Sequence, residues 1–204
     1  MNGKSGSGQA KGRSLGKPGQ PKRRVSMTLN RPVFFIGFMG AGKTSVSRRL
    51  ARMCGVASVD MDTYIERREG KRVREIFDEV GEDGFRAIET DVLAELAEKS
   101  DPLLVSCGGG VVLREENRAI LARSGVVVHL EVEVDEAASR ISDKSSRPLF
   151  QDLEASRRLC AERAPLYESA ADITINTAGR NVFSIAREAQ RLLEREGVLC
   201  RQRK

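Results

Sequence analysis

Gly37-Phe38-Met39-Gly40-Ala41-Gly42-Lys43-Thr44 follows a short apolar run, Val33-Phe34-Phe35-Ile36, and opens onto Ser45-Val46-Ser47-Arg48-Arg49-Leu50-Ala51, which reads as a helix. Strand, glycine-rich turn and helix in that order, with G-x-x-x-x-G-K-[ST] in the turn, form a cradle for nucleotide phosphates. The glycines let successive N–H groups curl inward around an anion, with no Cβ in the way. The helix that follows adds the partial positive charge of its N-terminus. Lys43 is placed to neutralise the β- and γ-phosphates and the Thr44 hydroxyl to hold Mg2+. Gly40, Ala41, Gly42 and Ser45 complete the expected ATP-binding loop.

Working outward, apolar runs alternate with amphipathic segments. Ala57-Ser58-Val59-Asp60-Met61-Asp62 reads as a short strand ending in two carboxylates, and Thr63–Gly70 and Arg72–Val80 as charged helices. Gly81-Glu82-Asp83-Gly84 breaks the pattern before Phe85, Ile88, Val92, Leu93 and Leu96 resume at helical spacing. Pro102–Cys107 and Val126–Leu130 are continuous apolar strands, as in a parallel sheet covered on both faces. Helices are expected at 115–123, 135–141, 155–170 (interrupted by Pro165) and 182–196, with a last strand at 172–176. This alternation predicts an α/β fold of βα units with right-handed crossovers. In such sheets the ligand lies at the carboxyl ends of the strands. The glycine loop, Asp60 and Asp62, and Gly108-Gly109-Gly110 all sit at such ends.

The net charge of +6 suggests a polyanionic partner, but its distribution does not. Residues 1–31 hold eight basic residues and no acidic one, which leaves 27 basic against 29 acidic residues from 32 onward. That first segment, rich in Gly, Ser, Lys, Arg and Pro, is expected to be a disordered tail, with Met27 an alternative start. The folded part, 32–204, is slightly acidic, and no nucleic-acid partner is expected for it. Four widely spaced cysteines and one histidine suggest neither a disulfide framework nor a zinc site. No run approaches a membrane span, so a cytoplasmic, monomeric protein is expected. An N-K-x-D guanine motif is absent, which argues against a GTPase.

At the end of its strand Asp60 is placed to join the Mg2+ shell beside Thr44. Asp62, two residues on in an extended chain, would lie on the same side, near an acceptor hydroxyl. Taken alone, the pair would also suit a helix N-cap at Asp62, before Thr63; beside the phosphate loop a catalytic role for one or both is the favoured reading. The triple glycine suits either a turn with positive φ or the close approach of a small ligand. An anionic acceptor and a triphosphate need permanently charged, planar partners, for which Arg86, Arg140, Arg147 and Arg163 are candidates that spacing alone does not single out. Cys107, just before the glycines, is a candidate for making the site sensitive to thiol reagents.

Taken together, the glycine loop, Asp60-x-Asp62-x-x-Ile65-Glu66, Phe85-Arg86-x-x-Glu89, Gly108-Gly109-Gly110, Arg147-Pro148-Leu149 and Arg163-x-Pro165-Leu166-Tyr167 resemble the shikimate kinases in order and spacing, over about residues 32–196. The resemblance implies a three-layer α/β/α P-loop kinase fold with a five-stranded parallel sheet and a lid at about 142–154. It implies Mg2+-dependent phosphoryl transfer from ATP to shikimate, in aromatic amino acid biosynthesis. On this reading Asp62 receives the hydroxyl to be phosphorylated, Asp60 lies near Mg2+, and Arg86, Arg163 and the glycines 108–110 bind shikimate. Arg147 reaches the ATP phosphates from the lid and Arg140 lies near adenine, while Phe77 and Phe85 wall the acceptor pocket. A related gluconate kinase and, less closely, a regulatory or nucleic-acid-binding P-loop ATPase are the alternatives.

Overall fold

The computed structural model describes residues 27–140 and 152–201. Val33–Ile36 (β2) lies at the centre of a five-stranded sheet. Ser58–Asp60 (β3) and Leu104–Ser106 (β4) lie to one side of it, and Val126–Glu131 (β5) and Ile173–Asn176 (β6) to the other, in the order β3-β4-β2-β5-β6. Every pairing within it is parallel, with Val33 opposite both Leu104 and Val126. Successive side chains of a strand point to opposite faces. Val33, Phe34, Phe35 and Ile36 have no exposed surface, so both faces of the central strand are covered. This is why the strand is apolar throughout rather than alternating.

The helices sit close to where the periodicity places them. Lys43–Cys54 (α1) starts at Gly42, whose φ of 90° and ψ of 15° favour glycine, and packs against Val182–Arg195 (α7). Met61–Glu69 (α2) follows β3 without a loop. The expected break at 81–84 is a kink rather than a gap: Val73–Ala97 (α3) runs across it, with Gly81 alone non-helical at φ 70° and ψ −175°. Glu115–Ser124 (α4) and Val134–Ser139 (α5) flank β5, and Leu153–Ala170 (α6) continues through Pro165. Asp152 opens α6 by accepting from the Ala155 amide.

Two strands fall outside the expected pattern. Met27–Leu29 (β1), placed by composition in the disordered tail, pairs antiparallel with Leu199–Arg201 (β7), Met27 opposite Arg201. Three residues give too short a run for periodicity to register, and each strand needs a partner far away in sequence. Met27, Leu29, Val198 and Leu199 are buried, so this ribbon closes the core near both ends of the described chain. Residues 1–26 lie outside the described residues, as does most of the expected lid. Among the described residues no helix is long and apolar enough to cross a membrane.

Leu199 is 2% exposed although it stands close to the chain's end. Leu199→Ala is expected to cost about 2–4 kcal/mol, as for a core leucine, measured by urea unfolding. A loss of a few tenths would show that the ribbon is not part of the core.

Candidate active site

The carboxyl ends of β2, β3 and β4 open into a cleft of about 610 Å3 lined by the glycine loop from Met39 to Val46. Asp60, Asp62, Ser106, Gly108 and Gly109 line the same cleft, with Arg140, Arg180 and Asn181 also in its wall. Within the loop, Gly37, Gly40 and Gly42 have positive φ. At Gly40 a Cβ would also lie 2.7 Å from the Ala137 carbonyl, so the loop tolerates no side chain there. Lys43 donates to two carbonyls of its own loop, Gly37 O at 2.8 Å and Phe38 O at 3.0 Å.

The Thr44 hydroxyl donates to Asp60 Oδ2 at 2.7 Å and lies 3.1 Å from Ser106 Oγ. Strands β3 and β4 and helix α1 therefore meet at one oxygen cluster. Burial alone would raise the Asp60 pKa, but hydrogen bonds from Thr44, Thr63 and Ser106 outweigh it and hold the group below its ordinary value. Asp60 is thus an ionised carboxylate beside a hydroxyl, a hard-oxygen set suited to Mg2+ with phosphates and water filling the other positions. No cluster of three or more His, Cys, Asp or Glu suited to a metal exists among the described residues.

The two carboxylates differ from expectation in one respect. Asp60, not Asp62, is the N-cap of α2, accepting from the Thr63 amide at 3.1 Å. The chain turns helical at Met61, so Asp62 reaches the cleft from the first turn of a helix rather than along a strand. Its carboxylate overhangs the triple glycine: a Cβ on Gly108 would stand 3.1 Å from Asp62 Oδ1 and 2.8 Å from Glu89 Oε1.

None of Gly108, Gly109 and Gly110 has positive φ, although the segment does turn, the Val111 amide donating to Gly108 O and the Leu113 amide to Gly110 O; side chains of the protein itself stand close to Gly108 and Gly110. At Gly110 a Cβ would fall on the guanidinium of Arg86. Arg86 is held there by Glu89, with Nη1 donating to Oε2 at 2.7 Å, and more distantly by Glu82 at 3.4 Å. Its guanidinium carbon lies 5.4 Å from the Phe85 ring centre and 6.0 Å from that of Phe77, and the two rings stack on each other at 4.2 Å. Its buried Nε has no partner among the described residues. Glu89 is 1% exposed; burial pushes its pKa up, against the pull of Arg86.

Arg163, on α6, donates to Gly109 O at 3.4 Å, and the same carbonyl accepts from the Tyr167 hydroxyl at 2.5 Å. Arg86, Arg163 and Asp62 thus converge on the loop after β4. Arg140 is braced by Glu136 at 2.7 Å and by Thr177 Oγ1 at 3.0 Å, and lies at the other side of the cleft. Arg147 falls outside the described residues. Sequence reasoning gave no role to Ser106, Glu89, Tyr167, Arg180 or Asn181. Of these Glu89 and Tyr167 stood within quoted motifs without a role of their own; Ser106, Arg180 and Asn181 depend on contacts between distant segments.

A family model described as shikimate kinase matches residues 39–194. A shikimate kinase of Chromobacterium violaceum is 42% identical over 165 residues, covering 79% of this chain and 89% of that protein. One from Pasteurella multocida is 38% identical, covering 82% of this chain and 98% of that protein. The solved structure of shikimate kinase from Acinetobacter baumannii in complex with shikimate superposes with a TM-score of 0.76. It is 36% identical and covers 81% of this chain and 94% of its own. A gluconokinase from Sinorhizobium meliloti superposes at 0.54 with 18% identity, covering 83% of this chain and 94% of its own, which speaks for the fold alone.

Cys107 lines the cleft but is 2% exposed, and burial drives its thiol pKa far up, both of which act against the expected sensitivity to thiol reagents. Mass mapping after brief thiol labelling of the native protein should find Cys200, which is exposed, modified and Cys107 untouched until unfolding. Equal labelling of the two would contradict the burial.

Proposed function

The chain belongs to the shikimate kinase family, and we propose that it transfers the γ-phosphoryl group of ATP to the 3-hydroxyl of shikimate, giving shikimate 3-phosphate and ADP. The observation that carries this reading is the convergence of Arg86, Arg163 and Asp62 on the glycines after β4, in and beside the cleft that the phosphate loop lines. A carboxylate-bearing ring with hydroxyls calls for this combination of guanidinium and carboxylate. An open polyol such as gluconate has less need of two arginines, and no feature of the site favours it.

ATP lies along the glycine loop, with the amides of Gly40–Ser45 and the N-terminus of α1 on its phosphates. Lys43 exchanges the carbonyls of Gly37 and Phe38 for β- and γ-phosphate oxygens. Arg140 lies beside the base. Thr44 and Asp60 are the residues that hold Mg2+, which supplies charge neutralisation to the phosphates when bound. Across the cleft Arg86 and Arg163 bind the acceptor carboxylate, while the bare backbone of Gly108–Gly110 lets the ring lie close. Asp62 orients the 3-hydroxyl and takes its proton as the oxygen–phosphorus bond forms; the electron pair of the breaking bond leaves with ADP. The transition state spreads charge over the equatorial oxygens, so positioning and electrostatics are the main contributions. We assign Arg147 and the segment about 142–154 to a lid that adds a further cation and excludes water. The enzyme acts in aromatic amino acid biosynthesis, and we place it in the cytoplasm, where four unpaired cysteines are in keeping with a reducing medium.

ADP release should depend on shikimate and not on gluconate when each is offered separately; the reverse would overturn the assignment. Asp62→Asn should lower kcat at least about 100-fold while leaving ATP affinity, by calorimetric titration, within about twofold. Gly110→Ala pushes the Arg86 guanidinium off its seat. It should weaken shikimate binding about tenfold, the loss of one charge-assisted contact, with ATP binding unaltered.

A further inference from the structure

We propose that Tyr167 is a positioning residue for the acceptor side: its hydroxyl occupies the Gly109 carbonyl and thereby leaves the Arg163 guanidinium available to the substrate anion. The proposal rests on the reading of this pocket as the shikimate site.

Tyr167 and Arg163 are one turn apart on α6 and present the same face to the loop after β4. Both reach one acceptor, Gly109 O. The tyrosine does so at 2.5 Å and the arginine at 3.4 Å, near the limit of a hydrogen bond. The arginine's Nε is buried and has no partner among the described residues. Two donors therefore compete for one carbonyl, and the hydroxyl holds the better position. Without it, the nearest remaining donor is the guanidinium, drawn in to a charge-assisted bond with the carbonyl. An arginine so committed is a poorer partner for a carboxylate.

Tyr167 is itself held firmly. It is 1% exposed, and its ring lies against that of His129 on β5, with centres 5.3 Å apart and planes 17° from parallel. Burial raises its hydroxyl pKa to about 12 despite the charge of Arg163 and a hydrogen bond that the hydroxyl oxygen accepts from it, so the group keeps the proton it donates to the carbonyl and also meets the guanidinium directly. Burial also lowers the His129 pKa, which leaves the stacked pair uncharged at neutral pH. The hydrogen bond spans 58 residues and ties α6 to the glycine loop of the acceptor site. A role confined to stability would show in melting temperature alone; competition for the carbonyl makes a narrower demand.

The test is Tyr167→Phe, which removes one oxygen and keeps the ring. In steady-state assays the KM for shikimate should rise about fivefold or more while the KM for ATP stays within about twofold. In an Arg163→Ala background the same substitution should have no further effect on the KM for shikimate, because the residue it acts through is gone. Independently of turnover, the Arg163 Nε–Hε resonance of the ligand-free protein, assigned by its loss in Arg163→Lys, should move in Tyr167→Phe. A KM for shikimate within twofold of wild type, equal rises for both substrates, additive effects in the double variant, or an unmoved Arg163 resonance would each overturn the proposal. Wild-type protein that releases no ADP with shikimate would instead overturn the assigned reaction. The resonance of Arg163 would still decide whether Tyr167 sets its position.

Discussion

Arg86 and Glu89 form an ion pair 2.7 Å long in a place that water hardly reaches, and much of the acceptor side is built around them. Desolvating two charges costs several kcal/mol each, and their attraction offsets this only in good geometry. That geometry comes from three sources. The pair lies one turn apart on α3. The stacked rings of Phe77 and Phe85 support the guanidinium from beneath. The backbone at Gly108–Gly110 closes it from above, where side chains at 108 and 110 would collide with Glu89 and Arg86. The glycines are therefore as much a property of the ion pair as of the loop. Glu82, 3.4 Å from the same guanidinium, adds a second and more exposed carboxylate to the pair.

The donor side rests on a different constraint, the crowding of the glycine loop against its neighbours. A Cβ at Gly37 would strike the Leu130 carbonyl and one at Gly40 the Ala137 carbonyl, so the loop that lines the cleft is packed against β5 and α5. Lys43 meanwhile bonds to loop carbonyls. Phosphate binding then exchanges one set of oxygens for another instead of ordering a free chain, which lowers its entropic cost. Asp60 links the two sides: it accepts from Thr44 on α1 and from Thr63 on α2, the helix that carries Asp62.

What was legible in the sequence was what local pattern controls. The glycine loop, the alternation of strands and helices and the carboxylates after β3 could be read because each is a short-range property. Asp62 lines the cleft, but from the first turn of a helix rather than along a strand, because the helix starts one residue before it and is capped by Asp60. Pairing of β1 with β7 joins segments about 170 residues apart, and the match to the family model, 39–194, stops short of both. Composition assigned Met27–Leu29 to a tail because composition does not see partners. Glu89 reads as one more charge on a charged helix until its 1% exposure is known, and Tyr167 as one more apolar residue until its hydroxyl is traced to Gly109.

The site also has to reconcile two opposed electrostatic needs. Binding an acceptor carboxylate asks for positive charge, whereas taking a proton from its hydroxyl asks for a carboxylate that stays ionised. The two needs are met about one glycine apart. Asp62 and Glu89 both approach Gly108, and Asp62 raises the Glu89 pKa as burial does, so the two acids repel. Arg86 and Arg163 act against that repulsion at Glu89. A substrate carboxylate that draws on Arg86 weakens its hold on Glu89 and so favours the protonated form of the buried glutamate. Asp62, by contrast, is exposed and lines the open cleft. Burial of one acid and exposure of the other to the cleft thus separates the roles in the proposed reaction: Glu89 holds the arginine, and Asp62 is left for the hydroxyl.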